Sequence, residues 1–157
     1  MKIILLLVGK TEFPWVRSGI ELYEERLKHY VSYQRIEIPE LKAAGNLSQQ
    51  QIKEREGEAI MKFLKQNDEL ILMDERGEEY TSEKFASHIE KKSIHGTKNV
   101  VFAIGGAYGF SEDLYRRASE KISLSKMTFS HQMVRVIFLE QLYRAYTIIK
   151  GEPYHHK

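Results

Sequence analysis

An α/β fold built on a parallel sheet is what this sequence predicts, and three observations carry the expectation. Short apolar runs recur at 3–8, 70–73 and 100–104, with a briefer one, broken by Ser123, at 122–124. Between them lie longer stretches whose apolar residues fall three and four apart, as on one face of a helix. The two signals alternate along the chain. Strands covered by helices on both sides of a sheet read as unbroken apolar runs, because neither face meets water.

The elements follow in order. Residues 3–8 form the first strand. The segment MKIILLLVGK is too short in its apolar run to span a membrane and has no small-residue cleavage site, so it is not read as a signal peptide. Pro14 stands at a first helical position, where its missing N–H costs nothing. Val16, Ile20, Tyr23, Leu27 and Tyr30 then mark the inner face of that helix. Residues 33–38 form the second strand, stopped by Pro39. Residues 41–47, with Gly45 and Asn46, read as a loop, and 40–48 as the most mobile segment. Ser48 and Gln51 make a capping box for a helix continued by Ile52, Ala59, Ile60, Phe63 and Leu64.

After the strand at 70–73, Asp74-Glu75-Arg76-Gly77 reads as a charged turn. Thr81 or Ser82 caps a helix with Phe85 and Ile89 inward. The strand at 100–104 runs into a glycine-rich loop, and Ser111 with Glu112 and Asp113 starts a short helix. A brief strand at 122–124 precedes a helix from about Ser130 to Ile149, and the tail GEPYHHK follows, its last four residues mixing an aromatic, imidazoles and a cation, with a frayed end as the plain alternative.

At 157 residues the chain reads as one domain, 1–157. With no cysteine, disulfides, thiolate metal sites and cysteine nucleophiles are excluded, and a cytoplasmic address is expected. No stretch is long enough for a membrane span. The net charge of +2 permits an RNA partner without demanding one. Six histidines, at 29, 88, 95, 131, 155 and 156, show no metal-ligand spacing, so no metal is expected.

The chemistry concentrates between Ile104 and Tyr146. In Gly105-Gly106-Ala107-Tyr108-Gly109 the glycines admit backbone angles that other residues avoid and let main-chain groups approach a ligand. A plain strand-to-helix turn explains the loop equally well. It matches neither dinucleotide nor phosphate-loop fingerprints. The stretch 124–129, LSKMTF, alternates apolar and polar residues, as a loop wrapping an adenine would; a capped helix start with Ser130 as N-cap is the equal alternative. The helix that follows is apolar on nearly every side, which suggests a dimer interface as well as a core. On it Glu140 and Arg144, four apart, form a structural ion pair, whereas Arg135 lies near the loops and suits a phosphate or carboxylate of substrate.

Several motifs in one order extend this reading: MKIILLLVGK and the Tyr23 helix, Glu56-Gly57-Glu58, LILMDERG, IGGAYG, LSKMTFSHQMVRV, EQLYRA and PYHHK. Over its whole length the chain resembles the RlmH family, the ribosomal large-subunit pseudouridine N3-methyltransferases, small bacterial members of the SPOUT class. The resemblance implies a SPOUT α/β domain with a C-terminal trefoil knot. It implies a homodimer that binds S-adenosylmethionine at the knot and modifies a pseudouridine of 23S rRNA in the assembled ribosome. Carried over, the cofactor residues are Met73, Gly105, Leu124, Ser125, Lys126, Met127, Thr128 and Phe129. The partner's tail is expected to close the site, which gives Tyr154 and His155 roles at the substrate, with Arg135 beside them and Arg144 in support. The pattern departs in two places: His156 intervenes before the terminal Lys157, and Tyr108 is bulky for its loop. Two rivals remain within the resemblance, a SPOUT enzyme acting on another RNA site and a non-catalytic ribosome-binding dimer. The loops by themselves support only a generic nucleotide-binding α/β domain.

Overall fold

The computed structural model describes residues 1–41 and 44–156. Five strands, β1 (Lys2–Val8), β2 (Ser32–Ile38), β3 (Glu69–Glu79), β4 (Asn99–Ile104) and β5 (Glu120–Ser123), form one sheet in the order β2-β1-β4-β3-β5. Every adjacent pair is parallel. The helices are α1 (Pro14–Leu27), α2 (Gln49–Phe63), α3 (Ser82–Ile94), α4 (Glu112–Arg117) and α5 (Met133–Ile149).

Because successive strand residues point to opposite faces, the apolar runs split cleanly between two cores. Ile3, Leu5 and Leu7 of β1, Ile71 of β3, and Val100, Phe102 and Ile104 of β4 face α1, α3 and α5. Leu6, Val8, Leu70, Leu72, Val101 and Ala103 face the other way, toward α2 and α4. The first core is the larger, and Phe102 packs there against Phe138 of α5 with ring centroids 4.8 Å apart. Gly19 lets α1 close on α5, since a Cβ there would lie 3.2 Å from Val136.

The capping signals hold. Ser48 and Gln51 make both halves of the box, Thr81 rather than Ser82 caps α3, and Ser111 caps α4. Helix α5 is regular from Met133, later than expected. Its N-cap is Gln132 rather than the expected Ser130; Ser130 braces the lead-in, its Oγ accepting the Met133 N–H at 3.1 Å and its carbonyl the Val134 N–H at 3.0 Å. Leu64 lies just beyond α2 as its C-cap, and Phe63 is exposed. The expected loop at 41–47 falls partly on residues 42 and 43, outside the described residues; its described part holds a 3-10 turn, Ala44–Asn46.

One expectation is corrected. Residues 74–77 are not a turn that ends the strand. β3 pairs with Ile122 of β5 through Met73, leaves the ladder for four residues, and pairs with Ile122 again through Glu78. Four consecutive polar or glycine residues mimic a turn locally, but long-range pairing with β5 carries the strand on to Glu79. At Gly77 a Cβ would fall 2.6 Å from the backbone of Ile122, so only glycine fits there.

Candidate functional site

In a parallel sheet the loops after the strands gather at one edge, where ligands of α/β proteins bind. Here residues 73–76 within β3 and the segments after β4 and β5 line a cavity of about 680 Å³, a volume within the range of small-molecule sites (about 300–1,000 Å³). Met73 and Gly105 lie on its wall, as do Leu124, Ser125, Met127, Thr128 and Phe129. Lys126 is exposed and is not among the wall residues. Met127, Tyr108 and Phe129 expose apolar surface beside it, Met127 at 78%.

The glycine loop is shaped by two different needs. Gly109 has φ +84°, a left-handed angle that suits glycine. Gly105 and Gly106 answer to space instead: a Cβ on Gly105 would lie 3.0 Å from the Phe110 ring, and one on Gly106 2.8 Å from an oxygen of Glu56. The loop after β5 braces itself, with the Ser123 hydroxyl donating to the Ser125 carbonyl at 3.0 Å and Ser125 Oγ accepting the Met127 N–H at 2.9 Å.

Several wall or near-wall residues were missed by sequence reasoning. Gln49 and Lys53 of α2 reach the cavity. Asp74 is nearly buried and accepts the Arg76 backbone N–H at 2.8 Å and the Tyr115 hydroxyl proton. Burial and this bond push the Tyr115 phenol above its ordinary pKa. Behind the glycine loop, burial first and the charge of Glu40 second raise the carboxyl pKa of Glu56. Its Oε1 is buried with no partner among the described residues. Such an acceptor costs about 1–3 kcal/mol. The available signal was the charged residue one and two turns along α2 from Lys53 and Gln49, on the same face.

Arg135 is a second correction. It is fully buried and donates to the carbonyls of Val8 at 2.9 Å, Gly9 at 3.0 Å and His131 at 3.2 Å, and to Thr11 Oγ1 at 3.0 Å. With most of its donors engaged by these groups, it holds α5 against the end of β1. Burial depresses its pKa, and Glu37 opposes that effect. Gln132 completes the junction, accepting from the Glu12 N–H at 2.9 Å and donating to the Lys10 carbonyl at 3.1 Å.

Tyr154 and His155 are not on the cavity wall of their own chain. The tail lies along α5, where Glu140 and Arg144 form the expected ion pair at 2.5 Å. Tyr154 donates to Glu140 Oε1 at 3.0 Å, and its ring lies 4.8 Å from the Arg144 guanidinium carbon. Its pKa is pushed up to about 12 by burial and by Glu140. Arg144 Nη1 lies 3.1 Å from His155 Nδ1, and Glu83 Oε1 3.1 Å from Nε2. Arginine can only donate, so Nδ1 accepts and the proton sits on Nε2, facing Glu83. Lys157 lies outside the described residues. No metal-binding cluster occurs among the described residues, and none of their helices is long and apolar enough to cross a membrane.

Known proteins resemble this chain along its full length. A family model described as "Predicted SPOUT methyltransferase" matches residues 1–155. A protein named ribosomal RNA large subunit methyltransferase H from Parabacteroides distasonis is 53% identical over 157 residues, covering 100% of both chains. Its namesakes from Christiangramia forsetii and Phocaeicola vulgatus are 50% and 53% identical over the same span, again with 100% of both chains covered.

Proposed function

Since the chain belongs to the SPOUT methyltransferase family, we propose that it methylates ribosomal RNA, using S-adenosylmethionine to modify N3 of a pseudouridine in the 23S rRNA of the assembled ribosome. The observation that carries the reading is that the loops after β4 and β5 meet with Met73 around one cavity, in a chain whose relatives are named ribosomal RNA large subunit methyltransferase H. The residues present suit this donor. Met73, Ile104, Leu124, Met127 and Phe129 offer apolar surface to an adenine, and Asp74, Glu75 and Glu112 place negative charge near a donor that carries a sulfonium and an ammonium.

When bound, the donor supplies an electrophilic methyl group. The chain must then align the acceptor nitrogen in line with it and remove the N3 proton. Imidazole suits that proton transfer near neutral pH, and His155 is the base of this reading, taking the proton at Nδ1 once the substrate displaces Arg144 from it, with Tyr154 beside it. Arg144, which touches the His155 ring, supports the anion that forms. Because the tail lies away from its own cavity, the reading places it at the partner's site in a homodimer. The exposed apolar residues Phe13, Trp15, Leu22 and Met133 on α1, its lead-in and α5 give such a partner a surface to cover.

The trefoil knot belongs to the same reading. Its support is the double pairing of β5 with β3 around residues 74–77 and the backbone contact at Gly77. A cytoplasmic location follows from a ribosomal substrate. A modest net charge favours a structured ribosomal surface over free RNA, since phosphate contacts dominate affinity for naked chains.

The test is methylation of purified ribosomes lacking the modification, followed by mapping of the methylated nucleotide. A methyl group on N3 of a large-subunit pseudouridine is expected. Efficient modification of a short free hairpin, or of a transfer RNA, would replace this reading with the other SPOUT one. Absence of any transfer with intact donor binding would leave a binding dimer.

A further inference from the structure

Resting on the reading that the cavity holds S-adenosylmethionine, we propose that Glu56 is a positioning residue for the glycine loop, its unpartnered carboxylate oxygen serving as the acceptor that fixes the loop amides around the bound donor. Three observations converge on it. First, the carboxylate and the loop are in close contact: a Cβ on Gly106 would lie 2.8 and 2.9 Å from the two Glu56 oxygens. Glycine at 106 is what admits the carboxylate.

Second, the contact is held from behind. The next residue, Gly57, presses α2 onto the cap of α4, where a Cβ would fall 2.4 Å from Ser111 Oγ. That fixes the position of Glu56 along the helix, while Gln49 and Lys53 on the same face reach the cavity wall. Helix α2 therefore touches both sides of the loop, its ligand side and its back.

Third, donors and acceptor are complementary and unused. Among the described residues Glu56 Oε1 is buried without a partner. Among the described residues the N–H groups of Gly106, Ala107 and Tyr108 reach no acceptor within the chain, and the loop's one internal backbone bond is Gly109 N–H to the Gly106 carbonyl at 3.3 Å. A carboxylate beside free amides is a charge-assisted bond waiting for a small movement of the loop. Closure of the loop on the donor supplies that movement, so the bond forms with binding and adds to donor affinity.

The experiment is calorimetry of the full-length protein with S-adenosylmethionine, alongside turnover on ribosomes at saturating donor. Glu56→Ala is expected to weaken donor binding about tenfold while turnover at saturation stays within about threefold, a loss of roughly 1.4 kcal/mol confined to binding. Glu56→Gln keeps an acceptor oxygen and is expected to bind nearly as wild type, whereas Glu56→Met fills the space without an acceptor and is expected to bind no better than the alanine variant. Gly106→Ala, which drives the carboxylate from the loop, reproduces the loss. Wild-type affinity in Glu56→Ala, or full rescue by Glu56→Met, overturns the inference and leaves the cofactor assignment standing. No binding to the wild type overturns both.

Discussion

Helix α5 carries one arginine at each end of its chemistry, and the two do opposite things. Arg135, near the cavity, is fully buried and spends its donors on the carbonyls of Val8, Gly9 and His131 and on Thr11. Arg144, two and a half turns on, is partly exposed and ties Glu140 and His155 together. Each stands four residues from a polar neighbour, so spacing alone could not separate them. The end of β1 decides: it brings bare carbonyls to one arginine and nothing to the other. The cavity end of the molecule sets backbone and apolar side chains beside Lys53, Asp74, Glu75 and Glu112, and its buried arginine holds structure. The tail end gathers Glu140, Arg144, Tyr154 and His155 away from that cavity.

The sharpest break in that contrast is Arg135→Met. It strands the carbonyls of Val8 and Gly9, and each buried acceptor left unsatisfied costs about 1–3 kcal/mol; urea unfolding measures it. A variant as stable as wild type would mean that the junction is solvated and Arg135 free for other work. Next comes His155→Ala, expected to lower turnover by about 100-fold or more, as loss of an acid–base group does, with donor affinity unchanged by calorimetry. An unaltered methylation rate removes His155 from the chemistry.

Glu140→Gln probes the tail more gently. It weakens the hold on Tyr154 and Arg144, and a fall in turnover of about tenfold is expected from looser positioning. The Tyr154 phenol, pushed up to about 12 by burial and Glu140, should then titrate lower in ultraviolet difference spectra; an unmoved titration would detach Glu140 from the tail.

The smallest effect is thermal. Glu56 has a folded pKa above its unfolded one, so its contribution to stability is complete when it is protonated and is lost as pH rises through the folded value. Glu56→Gln should therefore melt about 2–4 °C higher than wild type at pH 8, equivalent to about 1 kcal/mol for a chain of this size, and no higher at pH 4. Equal melting at both would show that the carboxylate is solvated.

Much of the fold was legible because its signals are local. Capping at Ser48, Thr81 and Ser111 and unbroken apolar runs in β1 and β4 need only neighbours in sequence. The bulged continuation of β3 was hidden because Glu78 and Glu79, past the polar stretch, are held by β5, more than forty residues away. The candidate site was legible as two loops. Which residues stand behind them was not: Glu56 meets Gly106, and Asp74 meets Tyr115, only after α2 and α4 have packed on the sheet. The motif order gave the tail residues an expected role at the substrate, yet no pattern of spacing reveals that they dock beside Glu140 and Glu83 of their own chain.

The strand order has a consequence for how the protein is made. β4 occupies the slot between β1 and β3, so β3 is synthesised before the strand that joins it to the rest. About 30 residues separate the end of its apolar run from the end of β4, which at roughly 5–20 residues per second is a delay of a few seconds. For that interval Leu70, Ile71 and Leu72 leave the ribosome with both strand edges open. The nascent chain is then most exposed to aggregation, and chaperone capture has its clearest target there.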